Sequence, residues 1–123
     1  MARILVIEDN ASFRETLKEM LERKNHQVIT AEDGDKGLQA IKSNPVDLVI
    51  TDIIMPVKDG VTTIQDIQRE FPAAKIIAMS GGGAINKGET YLEATMFITH
   101  IKHVLQKPFS GEVLFQTIEK VLG

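Results

Sequence analysis

The chain contains no cysteine and no tryptophan among its 123 residues, and aromatic residues make up only 5% of it. Without a thiol there is neither a disulfide framework nor thiolate ligation of a transition metal, and nothing argues for secretion. Positive charge is not in excess. The 14 Lys and Arg stand against 17 Asp and Glu, a formal net charge of −3, so the electrostatic footprint of direct nucleic-acid binding is missing. No apolar run reaches the length that spans a bilayer. Met1-Ala2-Arg3 leads straight into a strand-like run and leaves no room for a signal peptide. There is no repeat, no low-complexity segment and no internal linker. The expectation is one soluble, cytoplasmic domain over residues 1–123, whose 43% hydrophobic content suffices for one core.

What the chain does have is an apolar run, Leu48-Val49-Ile50, that ends on Asp52 and breaks into a Pro/Gly loop through Met55-Pro56-Val57 to Gly60. An unbroken run of this kind reads as a strand covered on both faces, as in the centre of a parallel sheet. In open parallel sheets, ligands gather just beyond the carboxyl ends of the strands. A lone aspartate there more often closes a strand or starts a turn. Three further runs change that reading: Ile4–Ile7 leads into Glu8-Asp9, Ile76–Met79 into Ser80, and His103–Gln106 into Lys107-Pro108. Together the strand ends bring three carboxylates, a hydroxyl and an ammonium to one edge.

At an effective dielectric near 20, two like charges about 4 Å apart repel by roughly 4 kcal/mol, so clustered carboxylates need compensation. Either one stays protonated or a cation sits among them. Few hard oxygen ligands, completed by water, suit Mg²⁺. With Lys107 and Ser80 beside a free carboxylate, such an edge is suited to receiving a phosphoryl group, with Asp52 as the nucleophile.

The order and placement of Glu8-Asp9, Asp52-Ile53-Ile54-Met55-Pro56-Val57-Lys58-Asp59-Gly60, Ser80 and Lys107-Pro108-Phe109 resemble the receiver domains of two-component response regulators, over essentially the whole chain. The resemblance implies a doubly wound, flavodoxin-like (βα)₅ fold with a five-stranded parallel sheet in the order 2-1-3-4-5. It implies phosphorylation of Asp52 by a sensor histidine kinase or a histidine phosphotransfer protein. Mg²⁺ would be held by Glu8, Asp9, Asp52 and the backbone carbonyl of Ile54, with Ser80 and Lys107 on the phosphoryl oxygens and Lys107-Pro108 in the cis form. A downstream protein target or output domain would read the state, and the face of helix 4, strand 5 and helix 5 would serve as output or homodimer surface. Such a protein assists its own phosphorylation and is not otherwise an enzyme. No output domain follows Gly123, which fits either a stand-alone regulator or the receiver of a longer protein.

Periodicity supplies the connecting helices. Asn10 caps a helix over Ala11 to about Arg23 with Phe13, Leu17, Met20 and Leu21 inward. Gln27 to Thr30 is a short strand, and Asp33 to Ser43 is a helix ended by Asn44-Pro45. Val61, Ile64, Ile67 and Phe71 mark a third helix, and Ala74 to Met79 is the fourth strand. A helical pattern from about Glu89 to Thr99 follows, and Ser110 caps a last helix with Leu114, Ile118, Val121 and Leu122 on one face.

Several residues depart from the family pattern. Val104 stands where receivers usually carry an aromatic switch residue, and His100-Ile101 replaces a common Gly-Ala pair. Ile54, two after the acceptor, is apolar where a polar side chain helps orient water, which predicts slow loss of the phosphoryl group. Ser80-Gly81-Gly82-Gly83-Ala84-Ile85-Asn86-Lys87-Gly88 reads as a mobile switch loop in preference to a backbone phosphate cradle or a plain flexible connection; the order Lys87-Gly88 is the reverse of a nucleotide P-loop. His100 and His103 lack a third ligand for a transition metal, and His26 reads as a turn residue. Met96, Phe97, Ile98 and Ile101 carry more apolar surface than one buried stripe needs; core packing accounts for most of them, and the remainder, with Tyr91, suggests a partner or homodimer patch. Two other functional classes fit the same residues: a degenerate receiver that binds a partner constitutively, and a small phosphatase with an aspartyl nucleophile. Intact Glu8, Asp9, Asp52, Ser80 and Lys107 oppose the first. Ile54, in place of an acid-base aspartate, opposes the second.

Overall fold

Each apolar run becomes a strand because it alternates its side chains between two covered faces, and each strand is followed by a helix that supplies part of the cover. The computed structural model describes residues 1–54, 58–81 and 87–123, the backbone alone at 87–91. In chain order the elements are β1 (Arg3–Ile7), α1 (Ala11–Arg23), β2 (Gln27–Ala31), α2 (Gly34–Ser43), β3 (Leu48–Asp52), α3 (Gly60–Glu70), β4 (Lys75–Ser80), α4 (Lys87–Thr99), β5 (Val104–Gln106) and α5 (Gly111–Leu122). The five strands form one parallel sheet in the order β2-β1-β3-β4-β5. All five residues of β3 are buried, as its central place requires.

Two apolar layers hold the helices. Ile4, Val6, Leu48, Ile50, Ile77 and Met79 face α1 and α5 and meet Leu17, Leu21, Leu114 and Ile118. Leu5, Ile7, Val49 and Ala78 face the other way, toward Leu38, Ile41, Ile64, Ile67 and Leu92. Four helices begin on a side chain that accepts the first orphan N–H. Asn10 Oδ1 takes Phe13 N–H (2.9 Å), Asp33 Oδ1 takes Lys36 N–H (2.9 Å), Asp59 Oδ1 takes Thr62 N–H (2.8 Å) and Ser110 Oγ takes Val113 N–H (3.1 Å). Each such cap contributes about 1 kcal/mol. α1 closes with Asn25 in the left-handed region (φ 67°), its N–H on Glu22 O (2.9 Å) and His26 N–H on Leu21 O (3.2 Å).

The strand order and alternation match the expected fold. β4 runs one residue later than the periodicity suggests and ends on Ser80, while Asp33 is the cap of α2 rather than its first turn. Leu122 lies 37% exposed instead of inward, and Val61 stays outside both apolar layers. Of the apolar residues around the end of α4, Met96 and Ile101 pack into the core, while Phe97 is 83% and Ile98 49% exposed. Val104 packs against the same layer. Met55, Pro56, Val57, the loop residues 82–86 and the side chain of Tyr91 lie outside the described residues.

Candidate functional site

The register sets the site. Asp52, the last residue of β3, pairs with Met79, and Ser80, the last residue of β4, pairs with Gln106. Glu8 follows β1 directly, its N–H donating to Ala31 O of β2 (3.0 Å). Lys107 follows β5, its N–H donating to Ser80 O (2.8 Å). Four consecutive places in the sheet thus turn their carboxyl ends to one edge.

Lys107 is the centre of the arrangement. Its Nζ lies 2.5 Å from Glu8 Oε1 and 2.9 Å from Asp52 Oδ2. Glu8, Asp9 and Asp52 each offer a carboxylate oxygen within 4.8 Å of the others, with Glu8 and Asp52 buried and Asp9 exposed. The second oxygens are also engaged: Asn10 N–H donates to Glu8 Oε2 (3.1 Å) and Ile54 N–H to Asp52 Oδ1 (3.1 Å). Burial pushes the Glu8 carboxyl above its ordinary pKa, against the opposing pull of Lys107 and of the Asn10 N–H. For Lys107 burial acts downward, yet the hydrogen bonds to Glu8 and Asp52 outweigh it and hold the ammonium above its usual range. The cation is therefore firmly charged where three carboxylates meet.

Among the described residues, those three carboxylates are the one group of three or more acidic or histidine side chains spaced to share a metal ion; His100 and His103 join no such group. Their donors are all hard oxygens, and three carboxylates exceed the single charge of Lys107. A small divalent cation fits on both counts. Ser80 is buried at the same edge, and Ile54, two residues after Asp52, is 52% exposed. The peptide Lys107–Pro108 is cis.

Sequence reasoning assigned Phe13 to sheet packing and missed its other contact. Its ring centroid lies 4.6 Å from Lys107 Nζ, and it meets the Phe109 ring edge-on (5.8 Å between centroids, 79°). The signal was present in the spacing, since an aromatic residue in the first turn of α1 sits over the edge where the strands end. Arg14 also reaches back, its Nη1 donating to Glu8 O (2.8 Å). Gly60 carries a second constraint. A Cβ there would lie 2.7 Å from Ile53 O and 2.8 Å from Asp52 O, so only glycine lets α3 start this close to the strand that bears Asp52.

The family profile for the response regulator receiver domain matches residues 4–119. The chain belongs to this family. Among individual receivers it is 31% identical to the chemotaxis protein CheY of Bacillus subtilis, over 98% of both chains. It is also 31% identical to part of the sensor histidine kinase TmoS of Ectopseudomonas mendocina, covering 98% of this receiver but only 12% of the kinase. The crystal structure of the chemotaxis protein CheY4 of Vibrio cholerae superposes with a TM-score of 0.83 at 25% identity, over 99% of both chains. Among the described residues, no helix of the receiver is long and apolar enough to cross a membrane.

Proposed function

We propose that this receiver is a phosphorylation-controlled switch in which Asp52 accepts a phosphoryl group from a phosphohistidine on a sensor kinase or phosphotransfer protein. The Asp52 oxygen–phosphorus bond forms as the bond from phosphorus to the donor's imidazole nitrogen breaks. The observation that carries this reading is Lys107, held within 2.9 Å of Asp52 and 2.5 Å of Glu8 in a cluster of three carboxylates. Mg²⁺ held by Glu8, Asp9, Asp52 and the Ile54 carbonyl would neutralise charge on the phosphoryl oxygens, which is most of what such transfers require. Lys107, steadied by the Phe13 ring, and Ser80 would hold the remaining oxygens. Moving Lys107 from Asp52 to the phosphoryl group, together with Ser80 at the end of β4, would carry the change into α4.

The output surface in this reading is the face of α4, β5 and α5, because Phe97 and Ile98 leave apolar area uncovered there. A target protein, an attached output domain or a second receiver would cover it. The likeness to part of a sensor histidine kinase supports a phosphohistidine donor, and the exchange is proposed to take place in the cytoplasm. Ile54, with an exposed apolar side chain beside Asp52, favours a long-lived phosphoryl group, and the chain acts on no substrate but itself.

Intact-protein mass after incubation with acetyl phosphate tests the reading. A single phosphoryl adduct is expected with Mg²⁺, and none with a chelator or in Asp52→Asn. An adduct that persists in folded Asp52→Asn, or the lack of one with a phosphorylated histidine donor, would overturn it.

A further inference from the structure

At the opposite edge of the sheet, the ends of α3, α4 and α5 border an open, solvent-facing cavity of about 320 Å³. Lys75, His100, Lys102 and His103 line it, and no carboxylate does. In a chain of net charge −3, an acid-free wall with four basic side chains is not the average surface. Among the described residues Lys75 and Lys102, like Lys18, Lys24 and Lys120, form no ion pair, but only these two stand together in one recess with two histidines. The acids on the neighbouring elements are committed elsewhere. Asp47, whose carbonyl takes the Lys75 N–H (3.0 Å), accepts the Arg3 N–H on its carboxylate (2.9 Å). Glu70 faces Lys42 and Arg69.

Backbone strain points to the same place. His100 has φ 61°, a left-handed conformation that costs a non-glycine residue roughly 1–2 kcal/mol. Glycine is the ordinary solution for a helix end of this shape, and here the chain spends that energy to present an imidazole at the cavity wall. The wall is fixed as well, since Gln68 Nε2 donates to Thr99 O (2.7 Å) and ties α3 to the end of α4. Buried Ile76 and Ile101 form part of the floor.

We propose that this cavity binds a compact anion carrying two or more negative charges, an organic phosphate or a polycarboxylate. Its volume lies at the low end of small-ligand sites. Two unpaired ammonium groups flanked by two imidazoles favour multivalent over monovalent anions, because each additional contact is charge-assisted.

The test is calorimetric titration of the chain, stripped of metal and dialysed free of chelator, with pyrophosphate, citrate and acetate, alongside backbone amide NMR to locate the site. Pyrophosphate or citrate is expected to bind, acetate not, with shifts at Lys75 and residues 99–103; whichever of the two binds more tightly identifies the class. Lys75→Gln with Lys102→Gln is expected to weaken binding at least about tenfold. Arg23→Gln with Lys18→Gln, the same charge change on α1, is expected to leave it within about twofold. No binding, equal weakening by both pairs, or shifts centred on Lys107 would overturn the proposal. Both lysines are exposed, so the variants keep the fold, and a thermal melt confirms it.

Discussion

α1 and α4 have the same length, 13 residues, and lie on opposite faces of one sheet, yet they are built in inverse ways. α1 buries Leu17 and Leu21 and turns Glu15, Glu19 and Glu22 to solvent. α4 buries Thr95 and Thr99 beside Leu92 and exposes Phe97 and Ile98. A buried Leu contributes roughly 1.5–3 kcal/mol, whereas a buried hydroxyl first has to recover its own desolvation. Thr99 does so locally, its Oγ1 donating to Thr95 O (2.6 Å). α1 is also tied to the acidic edge by Asn10, Phe13 and Arg14. One helix is therefore anchored at the chemistry, while the other, held by Leu92 and by Gln68 on Thr99 O, carries the exposed apolar surface. A switch needs both kinds of element.

The largest effect that separates them comes from the cores. Leu21→Ala should lower stability by about 3 kcal/mol in urea unfolding, and Leu92→Ala by about 2 kcal/mol, while Thr99→Val should change it by less than ~1 kcal/mol. A Leu92 cost above that of Leu21 would break the comparison. Next, Lys107→Met removes the cation between Glu8 and Asp52. In chelator it should cost about 1–2 kcal/mol, after allowance for partial exposure, and lower amide protection in the first turn of α1 but not in α4.

The helix ends sharpen the contrast. Both α1 and α4 stop on a left-handed residue, Asn25 and His100. Asparagine tolerates that conformation better than histidine, so His100→Gly should raise stability by about 1 kcal/mol and Asn25→Gly by less, read from urea midpoints. The smallest effect is at His26, whose Nδ1 accepts the Ala2 N–H (3.1 Å) beyond the end of α1. Burial, aided by the N-terminal ammonium, lowers its pKa from 6.5, so the folded chain binds the proton less readily than the unfolded one. That contribution to stability is complete above the unfolded value and is lost as pH falls through the folded one. His26→Gln should flatten the decline between about pH 7 and 5 by less than ~1 kcal/mol in unfolding titrations.

The parts of this structure that obey a period were legible in the sequence. The run Leu48–Ile50 announced a central strand, and Leu17 and Leu21 announced an inward face, because burial repeats every two or 3.6 residues. The edge residues were legible because parallel strands all end on the same side, which converts four separate sequence positions into one place. Phe13 over Lys107 could be placed only at that edge, by its position in the first turn of α1, and its contact went unread, since one side chain serves two neighbours and periodicity records only the core. Nor was α4, where threonine is buried and phenylalanine exposed, against the rule that reads helix faces. The cavity at Lys75 and Lys102 arises from elements far apart in sequence, and no motif spans it.

Hydrogen exchange on the chain with Mg²⁺, with and without beryllofluoride as a phosphoryl mimic, in wild type and Asp52→Asn, tests the central claim most directly. Protection should change in the end of β4 and in α4, stay constant in α1, and show no response in Asp52→Asn. Equal changes in α1 and α4, or an unaltered α4 in wild type carrying the mimic on Asp52, would contradict it.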